Sequence, residues 1–476
     1  MMRVGVHEYA RQIQEGSLDL KEEMHRVIQE ARRINEEYAY FNIIDETLVK
    51  DQVDDLIKRK RKDLPLAGVP VSVKDCICVK GMESTAGSAI LKGYRPLLDA
   101  TAIRKAKDAG AIIIGKTAQD EFGFGSFNVN VGRGFKTPKN PHDLSRVTGG
   151  SSGGSAGITA KAPFAHLSIA ESTGGSIAAP AAFCGVVGIT PTYGRVSRWG
   201  LIDYANSLDK IGSMGASIAD ASLLLEVIFG HDEKDATSTH QAIPSLRAEL
   251  HQDIKGRRIA LLKDSFRTAV DSDIQKAATN VKAVLEKCGA RVDEIEMDIT
   301  SRYALPVYYL LAMSEASTNL AKFCGMRYGR AEPLEGSFDD YFSNVRELHF
   351  GSEVKRRILL GTFARMAGHR DAFYIKAAEV RSLIIQEYKK IFKSYDAILS
   401  PTMPIIAPRF ADIEKLTPLQ SYMMDILTVG PNVAGMPHVS MPCGQSKGMP
   451  IGMMLTSDHF NEAMMVRIAS HLEVSR

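Results

Sequence analysis

The feature that most restricts the fold of this chain is a run of nine residues, 149–157, that contains only Gly, Ser and Ala. Such a composition is also typical of a flexible linker. This run, however, lies between segments with regular apolar patterns, and a second Gly-rich loop follows at 172–176. Glycine lets the backbone pass close to a bound group and present several N–H groups to it. The two loops therefore predict a backbone-lined site within an ordered domain.

Apolar runs and helical patterns alternate before the first loop. Residues 66–73 and 111–114 are short apolar runs typical of buried strands. Between them, residues 101–109 have a helical pattern that ends at Gly110, a common helix-terminating residue. The order strand, helix, strand predicts an α/β layer structure.

Helical patterns also occur near the N-terminus and in the second half of the chain. Six apolar residues recur at helical spacing: Leu20, Met24, Val27, Ile28, Ala31 and Ile34. This stripe spans only about two heptads, so it predicts a face packed on the main body and not a free coiled coil. We expect an N-terminal helical segment at 1–60 and a main domain at 61–476. Within the main domain we expect a helical insertion at about 305–393, followed by strands from 395 onward.

The composition excludes several classes of protein. Of the 476 residues, 45% are apolar and 24% are charged, which suits a globular protein and excludes a disordered or collagen-like chain. The net charge of +3 gives no field strong enough to indicate nucleic acid or a membrane as a partner. The basic run at 58–62 is expected to be a solvated helix end or loop.

Cysteine usage and the N-terminal sequence indicate a compartment. The six cysteines are dispersed with a spacing that predicts neither a disulfide framework nor a zinc site. The first residues lack the apolar core of a signal peptide, and no run of about 18 apolar residues occurs. We therefore expect a cytoplasmic protein.

Residues 110–117 fit the pattern of a phosphate-binding loop, G-x-x-x-x-G-K-T. Such a loop needs backbone N–H groups that turn inward between a strand and a helix. The four variable positions here are Ala and three isoleucines, which are typical of the strand itself. The pattern therefore favours a strand over a nucleotide site around Lys116.

Ser176 is a candidate nucleophile because it follows two glycines and precedes a short helical segment. A serine hydroxyl needs a base to become reactive. The sequence contains no recognisable histidine triad motif and no G-x-S-x-G turn. Another base is therefore required.

Lys74 is the alternative base, since it directly follows the apolar run at 66–73. A lysine at a strand end is usually a surface residue whose amine reaches water. If Lys74 is instead buried among hydroxyl groups, its uncharged amine is favoured and accepts a proton. The residues alone leave both interpretations open.

These motifs resemble, in order and spacing, those of the amidase signature family. The resemblance rests on Lys74 and on the segments 149–155, 173–177 and 180–188, and it extends from about residue 5 to the C-terminus. Further segments are similar to the branch of that family formed by the glutaminase subunits of tRNA-dependent amidotransferases: 191–198, 207–212, 314–317, 353–358 and 442–446. The resemblance implies an α/β/α sandwich around a mixed β-sheet.

The resemblance also implies catalytic roles. Ser176 would be the nucleophile and Lys74 the base. Ser151, on a cis peptide bond, would relay the proton between them. A shift of one residue in the loop would exchange Ser151 with Ser152, and the sequence leaves that alternative open.

A substrate pocket is implied in the same way. The oxyanion hole would be formed by the backbone N–H groups of four consecutive residues: Thr173, Gly174, Gly175 and Ser176. Arg357 would bind the α-carboxylate of glutamine and Asp425 its ammonium group, with Tyr308 or Tyr309 nearby. A zwitterionic amino acid suits a pocket with one fixed cation and one fixed anion.

The chain departs from the family pattern around the nucleophile. Glu171 and Ser172 stand where an Asp usually precedes Thr-Gly-Gly-Ser. Ala178 replaces a usual arginine, and Thr190 replaces a usual lysine. These changes alter the charges near the nucleophile loop but leave the three catalytic positions filled.

The resemblance finally implies partners. Glutamine would be hydrolysed on this chain, without a cofactor or metal of its own. Ammonia would pass to the B subunit of the amidotransferase, which activates Glu-tRNA(Gln) with ATP and Mg²⁺, and a small C subunit would complete a heterotrimer. One alternative is a free-standing amidase acting on another small amide. A non-catalytic alternative is a scaffold or nucleotide-binding module centred on Lys116.

Overall fold

In the described residues of this computed structural model, 4–59, 64–266 and 270–473, eleven strands form one sheet. The domain boundary predicted at 60–61 and residues 60–62 of the basic run lie outside the described residues. The strands are β1 (Phe41–Ile44), β2 (Pro70–Lys74), β3 (Ile112–Thr117), β4 (Leu167–Ser172), β5 (Val187–Thr190), β6 (Lys210–Gly215), β7 (Arg258–Leu262), β8 (Arg291–Ile295), β9 (Ala397–Pro401), β10 (His438–Ser446) and β11 (Met449–Thr456).

The sheet is mixed, with the strand order β1-β3-β2-β4-β6-β5-β10-β11-β9-β7-β8. Strand β2 pairs in parallel with β3 and with β4. Strands β7, β8 and β9 are also parallel to their neighbours in that group, whereas β4, β6, β5, β10, β11 and β9 pair antiparallel in succession. Strands β2 and β3 are buried along their whole length, which agrees with their apolar sequences. The strand predicted at 66–73 begins only at Pro70, because residues 65–68 form a turn, and the strand predicted at 111–114 extends to Thr117.

Helices connect the strands in chain order. They are α1 (Val6–Glu15), α2 (Leu20–Tyr38), α3 (Glu46–Arg59), α4 (Thr101–Asp108), α5 (Gly153–Lys161), α6 (Ala178–Cys184), α7 (Ile218–Ile228), α8 (Ser272–Lys287), α9 (Asp298–Asn319), α10 (Phe338–His349), α11 (Ser352–Arg365), α12 (Lys376–Ile391), α13 (Phe410–Ile413), α14 (Pro418–Tyr422), α15 (Val429–Val433) and α16 (Glu462–Glu473).

The helices cover both faces of the sheet. On β4, Ile169 packs in the largest apolar cluster, to which α4 and α7 contribute. The next residue, Ala170, packs in a separate cluster with residues of α5 and α6 such as Ala156 and Ala181. Because successive side chains of a strand point to opposite faces, Ile169 and Ala170 pack against helices on the two sides of the sheet. The structure therefore confirms the predicted α/β fold with helices around a mixed sheet.

The predicted helices agree with the structure except at the start of the helical region and after residue 395, where α13–α16 accompany the predicted strands. All six residues of the N-terminal apolar stripe are buried on α2, and the Asp19 side chain accepts a hydrogen bond from the backbone N–H of Glu22 at the start of that helix. The helical region predicted from about residue 305 begins at Asp298, the first residue of α9. Pro306 lies inside this helix and does not mark its start. In the described ranges, none of the helices combines the length and apolar character needed to cross a bilayer.

The segment that fits a phosphate-loop pattern is strand β3. Lys116 is fully buried there, and its amine donates hydrogen bonds to Ser84 Oγ at 2.8 Å and to the backbone oxygen of Asp75 at 3.1 Å. A buried lysine with protein partners is not available to a phosphate group. The strand prediction is confirmed, and the nucleotide-binding alternative loses its basis.

Candidate active site

Lys74 is the last residue of β2 and is fully buried. Its Nζ donates to Ser151 Oγ at 2.7 Å, to Glu171 Oε2 at 2.8 Å and to the backbone oxygen of Glu171 at 3.0 Å. Glu171 reaches the amine because β2 and β4 are parallel, so their carboxyl ends lie at the same edge of the sheet. Of the two environments that the sequence leaves open for this amine, the structure has the buried one, with three acceptors.

The first Gly-rich loop places Ser151 against this amine. The peptide bond between Gly150 and Ser151 is cis, and the N–H of Gly150 donates to the backbone oxygen of Ser126 at 2.8 Å. Ser152 lies beside the amine but faces another group: its Oγ donates to the backbone oxygen of Glu171 at 3.1 Å. The geometry therefore favours Ser151 over Ser152 as the residue that contacts Lys74.

Ser176 lies in the turn between β4 and α6 and lines a small cavity, together with Gly150, Gly174 and Gly175. Throughout the described part of the chain, no acceptor is found for the backbone N–H groups of Gly174, Gly175 or Ser176. A Cβ atom on Gly174 would lie 2.3 Å from Cζ of Tyr308, so only glycine fits there. The turn thus presents free N–H groups at a cavity that also contains a serine.

Arg357, on α11, lines the same cavity and is only 2% exposed. Its Nε donates to Glu353 Oε1 at 2.8 Å, and its Nη1 donates to the Tyr204 hydroxyl at 2.5 Å. Four aromatic rings lie within reach of its guanidinium group: Phe124, Tyr204, Tyr309 and Tyr422. Burial opposes the charge, but Tyr204 and Glu353 outweigh it and keep the pKa of Arg357 above its ordinary value. Arg357 is therefore a fixed cation at the cavity wall.

Asp425 supplies an anion to the same cavity. Its Oδ2 accepts a hydrogen bond from the Tyr309 hydroxyl at 2.6 Å. Burial raises the pKa of Asp425, while the Tyr309 hydrogen bond acts in the opposite direction. Tyr308 packs over Gly174 and Tyr309 binds Asp425, so both tyrosines lie where the resemblance implies one or the other.

A wider groove opens outside this cavity. It has a volume of about 600 Å³ and shares Gly125 and Arg357 with the cavity wall. Tyr422, Lys139 and Glu414 also line it. The groove thus provides an approach from solvent to the buried serine.

Two carboxylates close to Ser151 are missing from the set predicted from the sequence. Glu171 contacts Lys74, as described above. Asp120 lies beneath the cis peptide, where a Cβ on Gly150 would come within 2.2 Å of its Oδ2, and burial raises its pKa to about 6. The signal in the sequence for Glu171 is its departure from the family pattern just before the nucleophile loop.

The other departures from the family pattern lie inside the protein. Ala178 is fully buried in α6. The hydroxyl oxygens of Ser172 and Thr190 are also buried, and neither has a hydrogen-bond partner among the residues with a described position. These three positions contribute no charge near the nucleophile. Glu171 is thus the departure that brings a charge to the buried amine of Lys74.

No group of three or more His, Cys, Asp or Glu side chains suited to a metal ion is found within residues 4–59, 64–266 and 270–473. The remaining functional groups are a serine at a cavity, free N–H groups around it, and a buried lysine in contact with a second serine. Such an arrangement is suited to nucleophilic attack on an amide or ester carbonyl, with the N–H groups stabilising the oxyanion.

Comparisons with known proteins agree with this chemistry. A family model described as Amidase matches residues 22–466. The A subunit of the glutamyl-tRNA(Gln) amidotransferase of Bdellovibrio bacteriovorus is 47% identical over 414 residues, which cover 86% of this chain and 83% of the relative. The corresponding A subunit of Geobacillus thermodenitrificans is 43% identical, with coverage of 96% and 93%. The crystal structure of the A subunit from Thermotoga maritima has a TM-score of 0.80 and 32% sequence identity, and the match covers 98% of this chain and 93% of that chain.

Proposed function

The chain belongs to the amidase family, and we propose that it is the glutamine-hydrolysing subunit of a Glu-tRNA(Gln) amidotransferase. The relatives named as the A subunits of glutamyl-tRNA(Gln) amidotransferases support this proposal along most of the chain. The observation that carries it is the pairing of Arg357 and Asp425 at the cavity of Ser176. A fixed cation and a fixed anion suit the carboxylate and ammonium of a free amino acid, whereas a neutral amide has no use for both.

The reaction begins at Ser176. Its Oγ attacks the side-chain amide carbon of glutamine, and its proton moves to Ser151, whose own proton moves to the amine of Lys74. The contact of 2.7 Å between Lys74 Nζ and Ser151 Oγ supports the second of these transfers. The carbonyl oxygen becomes an oxyanion, and the free N–H groups of the turn at residues 174–176 stabilise it.

The tetrahedral intermediate then collapses. The carbon–nitrogen bond breaks, and the proton held by Lys74 returns through Ser151 to the leaving nitrogen, which departs as ammonia. Water attacks the resulting ester on Ser176 by the same route, and glutamate is released. The three catalytic groups thus return to their starting protonation states.

The relatives are named as A subunits, so we infer that this chain works together with further subunits. Ammonia released here would amidate Glu-tRNA(Gln) on the B subunit, with ATP and Mg²⁺ bound there, and a C subunit would complete the complex. We place this assembly in the cytoplasm. In this proposal the chain itself needs no cofactor to hydrolyse glutamine.

Mass spectrometry of the chain with a slowly hydrolysed γ-glutamyl analogue tests the proposal. We expect a glutamyl adduct on the peptide that contains Ser176, and no adduct in the Ser176→Ala variant. Ser172→Ala is a matched control, since its hydroxyl lies nearby without a hydrogen-bond partner among the described residues, and it should retain the adduct. An adduct formed from a neutral small amide but not from the γ-glutamyl analogue would indicate a free-standing amidase instead.

A further inference from the structure

The Glu171 side chain lies between the catalytic amine and a second acidic group. It is 4% exposed. Its Oε2 accepts a hydrogen bond from Lys74 Nζ at 2.8 Å, and its Oε1 accepts one from the Thr173 hydroxyl at 2.8 Å. Both carboxylate oxygens are therefore engaged, one on each side.

The Thr173 hydroxyl also contacts Asp209. Its Oγ1 is 2.8 Å from Asp209 Oδ1 as well as 2.8 Å from Glu171 Oε1. A hydroxyl carries one hydrogen, so two short oxygen–oxygen contacts to carboxyl groups require a second hydrogen. One of the two carboxyl groups must therefore be protonated.

Asp209 is the better candidate for that proton. Glu171 has the Lys74 amine at its other oxygen, which favours the ionised carboxylate. Asp209 is fully buried, and burial followed by the negative charge of Glu171 raises its pKa well above the ordinary value. The chain of hydrogen bonds then runs from Asp209 to Thr173 and from Thr173 to Glu171, whose other oxygen accepts from the Lys74 amine.

We propose that Glu171 is a positioning residue that sets the pH at which Lys74 becomes able to accept a proton. The inference rests on the proposed serine–serine–lysine mechanism and adds a residue to it. An ionised carboxylate 2.8 Å from the amine stabilises the ammonium form. Glu171 therefore stabilises the proton that Lys74 takes up during attack, and it also keeps the resting amine protonated to a higher pH.

Other titratable groups surround Glu171 and Lys74, and they must be the same in all the variants that are compared. Asp120 faces Lys74 from beneath the cis peptide, and Cys76 follows Lys74 in the chain. Lys116 and Asp75 form a separate buried ion pair at 3.4 Å. None of these lies between Glu171 and Lys74, so a substitution of Glu171 removes the charge that acts most directly on the amine.

The test measures how fast Ser176 is sulfonylated by a sulfonyl fluoride as the pH varies. In this reaction the Ser176 oxygen forms a bond to sulfur, fluoride leaves with the electrons of its bond, and the serine proton passes through Ser151 to Lys74. Reactivity therefore falls at low pH, where Lys74 already carries its proton. We call this fall in reactivity at low pH the acid limb of the pH profile. We expect Glu171→Gln to move the acid limb about one to three pH units toward lower pH, because the negative charge next to the Lys74 amine is gone.

Asp209→Asn is the matched control. Its amide nitrogen can donate to Thr173 Oγ1 as the protonated carboxyl group does, while its oxygen still accepts from the backbone N–H groups of Tyr204 and Ala205. We expect its acid limb to coincide with that of the unsubstituted chain. A shift in Asp209→Asn equal to that in Glu171→Gln would overturn the proposal.

Two further variants separate charge from structure. Glu171→Asp keeps a carboxylate and should retain the original acid limb, whereas Glu171→Thr removes the charge with a residue suited to a strand and should shift it. If a folded neutral variant shows the original limb, Glu171 does not set it. If both neutral variants fail to fold while Glu171→Asp folds, as seen by circular dichroism, the carboxylate has a structural role only, and the proposal is wrong.

The probe also separates this inference from the proposed function. Sulfonylation needs an activated Ser176 but no glutamine. A shifted acid limb in a chain that does not hydrolyse glutamine would support the role of Glu171 and contradict the choice of substrate. If the chain hydrolyses glutamine but the acid limb of Glu171→Gln is not shifted, the choice of substrate is supported and the role of Glu171 is contradicted.

Discussion

Arg357 is almost fully buried, so water does not compensate for the loss of its positive charge when the side chain is removed. We predict that Arg357→Ala lowers kcat/KM for glutamine about 10-fold to 100-fold, mainly through KM, because a charge-assisted contact to the α-carboxylate is lost. Lys355→Ala, on the same helix, is the control, since its amine donates a hydrogen bond to the backbone oxygen of Glu347 at 2.9 Å. Steady-state kinetics decide the matter, and unchanged glutamine hydrolysis in Arg357→Ala would exclude the zwitterion pocket.

Asp425 gives the pocket a dependence on pH. Because burial raises its pKa, this carboxyl group takes up a proton at a higher pH than an ordinary aspartate does. Protonation removes the anion that binds the ammonium group, so we predict that KM for glutamine rises as the pH falls. Asp425→Asn should show a high KM with little dependence on pH.

Tyr309→Phe checks the sign of this effect. The Tyr309 hydroxyl stabilises the ionised form of Asp425, so its removal should make KM rise at a higher pH than in the unsubstituted chain. A KM profile that stays in place, or moves the other way, would show that Asp425 does not carry the ammonium contact. Measurements of KM at a series of pH values from acidic to neutral, for the variant and the unsubstituted chain together, test the direction of this shift.

The turn between β4 and α6 works as a unit in which a single methyl group is too large. A Cβ on Gly174 would lie 2.3 Å from Tyr308 Cζ and 2.5 Å from its hydroxyl oxygen. We predict that Gly174→Ala displaces the free N–H groups of the turn and lowers kcat about 100-fold to 1,000-fold. Gly5→Ala should leave kcat unchanged, since among the described residues, apart from the chain neighbours of Gly5, no atom lies within 4 Å of the added Cβ. Wild-type kcat in Gly174→Ala would exclude this turn as the oxyanion hole.

Local elements follow from local sequence, but the contacts of the site do not. The apolar stripe on α2 and the buried strands β2 and β3 depend on spacing within a few residues. The structure has the stripe as predicted and both strands near the predicted runs, although β2 begins at Pro70 and not at Leu66. The contact between Lys74 and Glu171 joins residues 97 positions apart and depends on the parallel pairing of β2 with β4. The pattern of a single strand carries no information about its neighbour, so the residues alone leave Lys74 either exposed or buried.

The family resemblance reaches further than these patterns, though not to every residue. Arg357, Asp425 and Ser176 line one cavity although they come from distant segments, and the resemblance identifies all three. Glu171 stands out only as a departure, because the resemblance assigns no role to a residue that differs from the family. Its contacts emerge only once the strands are assembled.

At the scale of the whole molecule, a buried ion pair joins the C-terminal helix to the segment that follows β5. Glu462, on α16, accepts from Arg195 Nη2 at 3.2 Å and from the backbone N–H of Thr192 at 3.0 Å. The Arg195 and Glu462 side chains are 3% and 0% exposed. We predict that Glu462→Ala lowers the free energy of unfolding by about 3–5 kcal/mol, because the Arg195 charge remains buried without its partner.

Chemical unfolding of the purified chain measures this difference. The exposed pair of Arg258 and Asp293 is the comparison, with side chains 46% and 47% exposed and a contact of 2.8 Å. Asp293→Asn should change stability little, since water already screens that pair. Equal effects of the two substitutions would show that burial of the Glu462 pair does not matter.

In the proposed mechanism, the groups that break the amide bond and the charges that select the substrate come from separate stretches of this chain. Lys74, Ser151 and Ser176 lie in one continuous stretch around β2 and β4, whereas Arg357 and Asp425 arrive from the helices that follow much later. Substitutions can thus accumulate in the later stretch, which contains Arg357 and Asp425, without changing the earlier stretch, which contains Lys74, Ser151 and Ser176. The catalytic residues can therefore stay the same while the substrate specificity changes. Substitutions intended to make the chain accept a different amide would begin at positions 357 and 425.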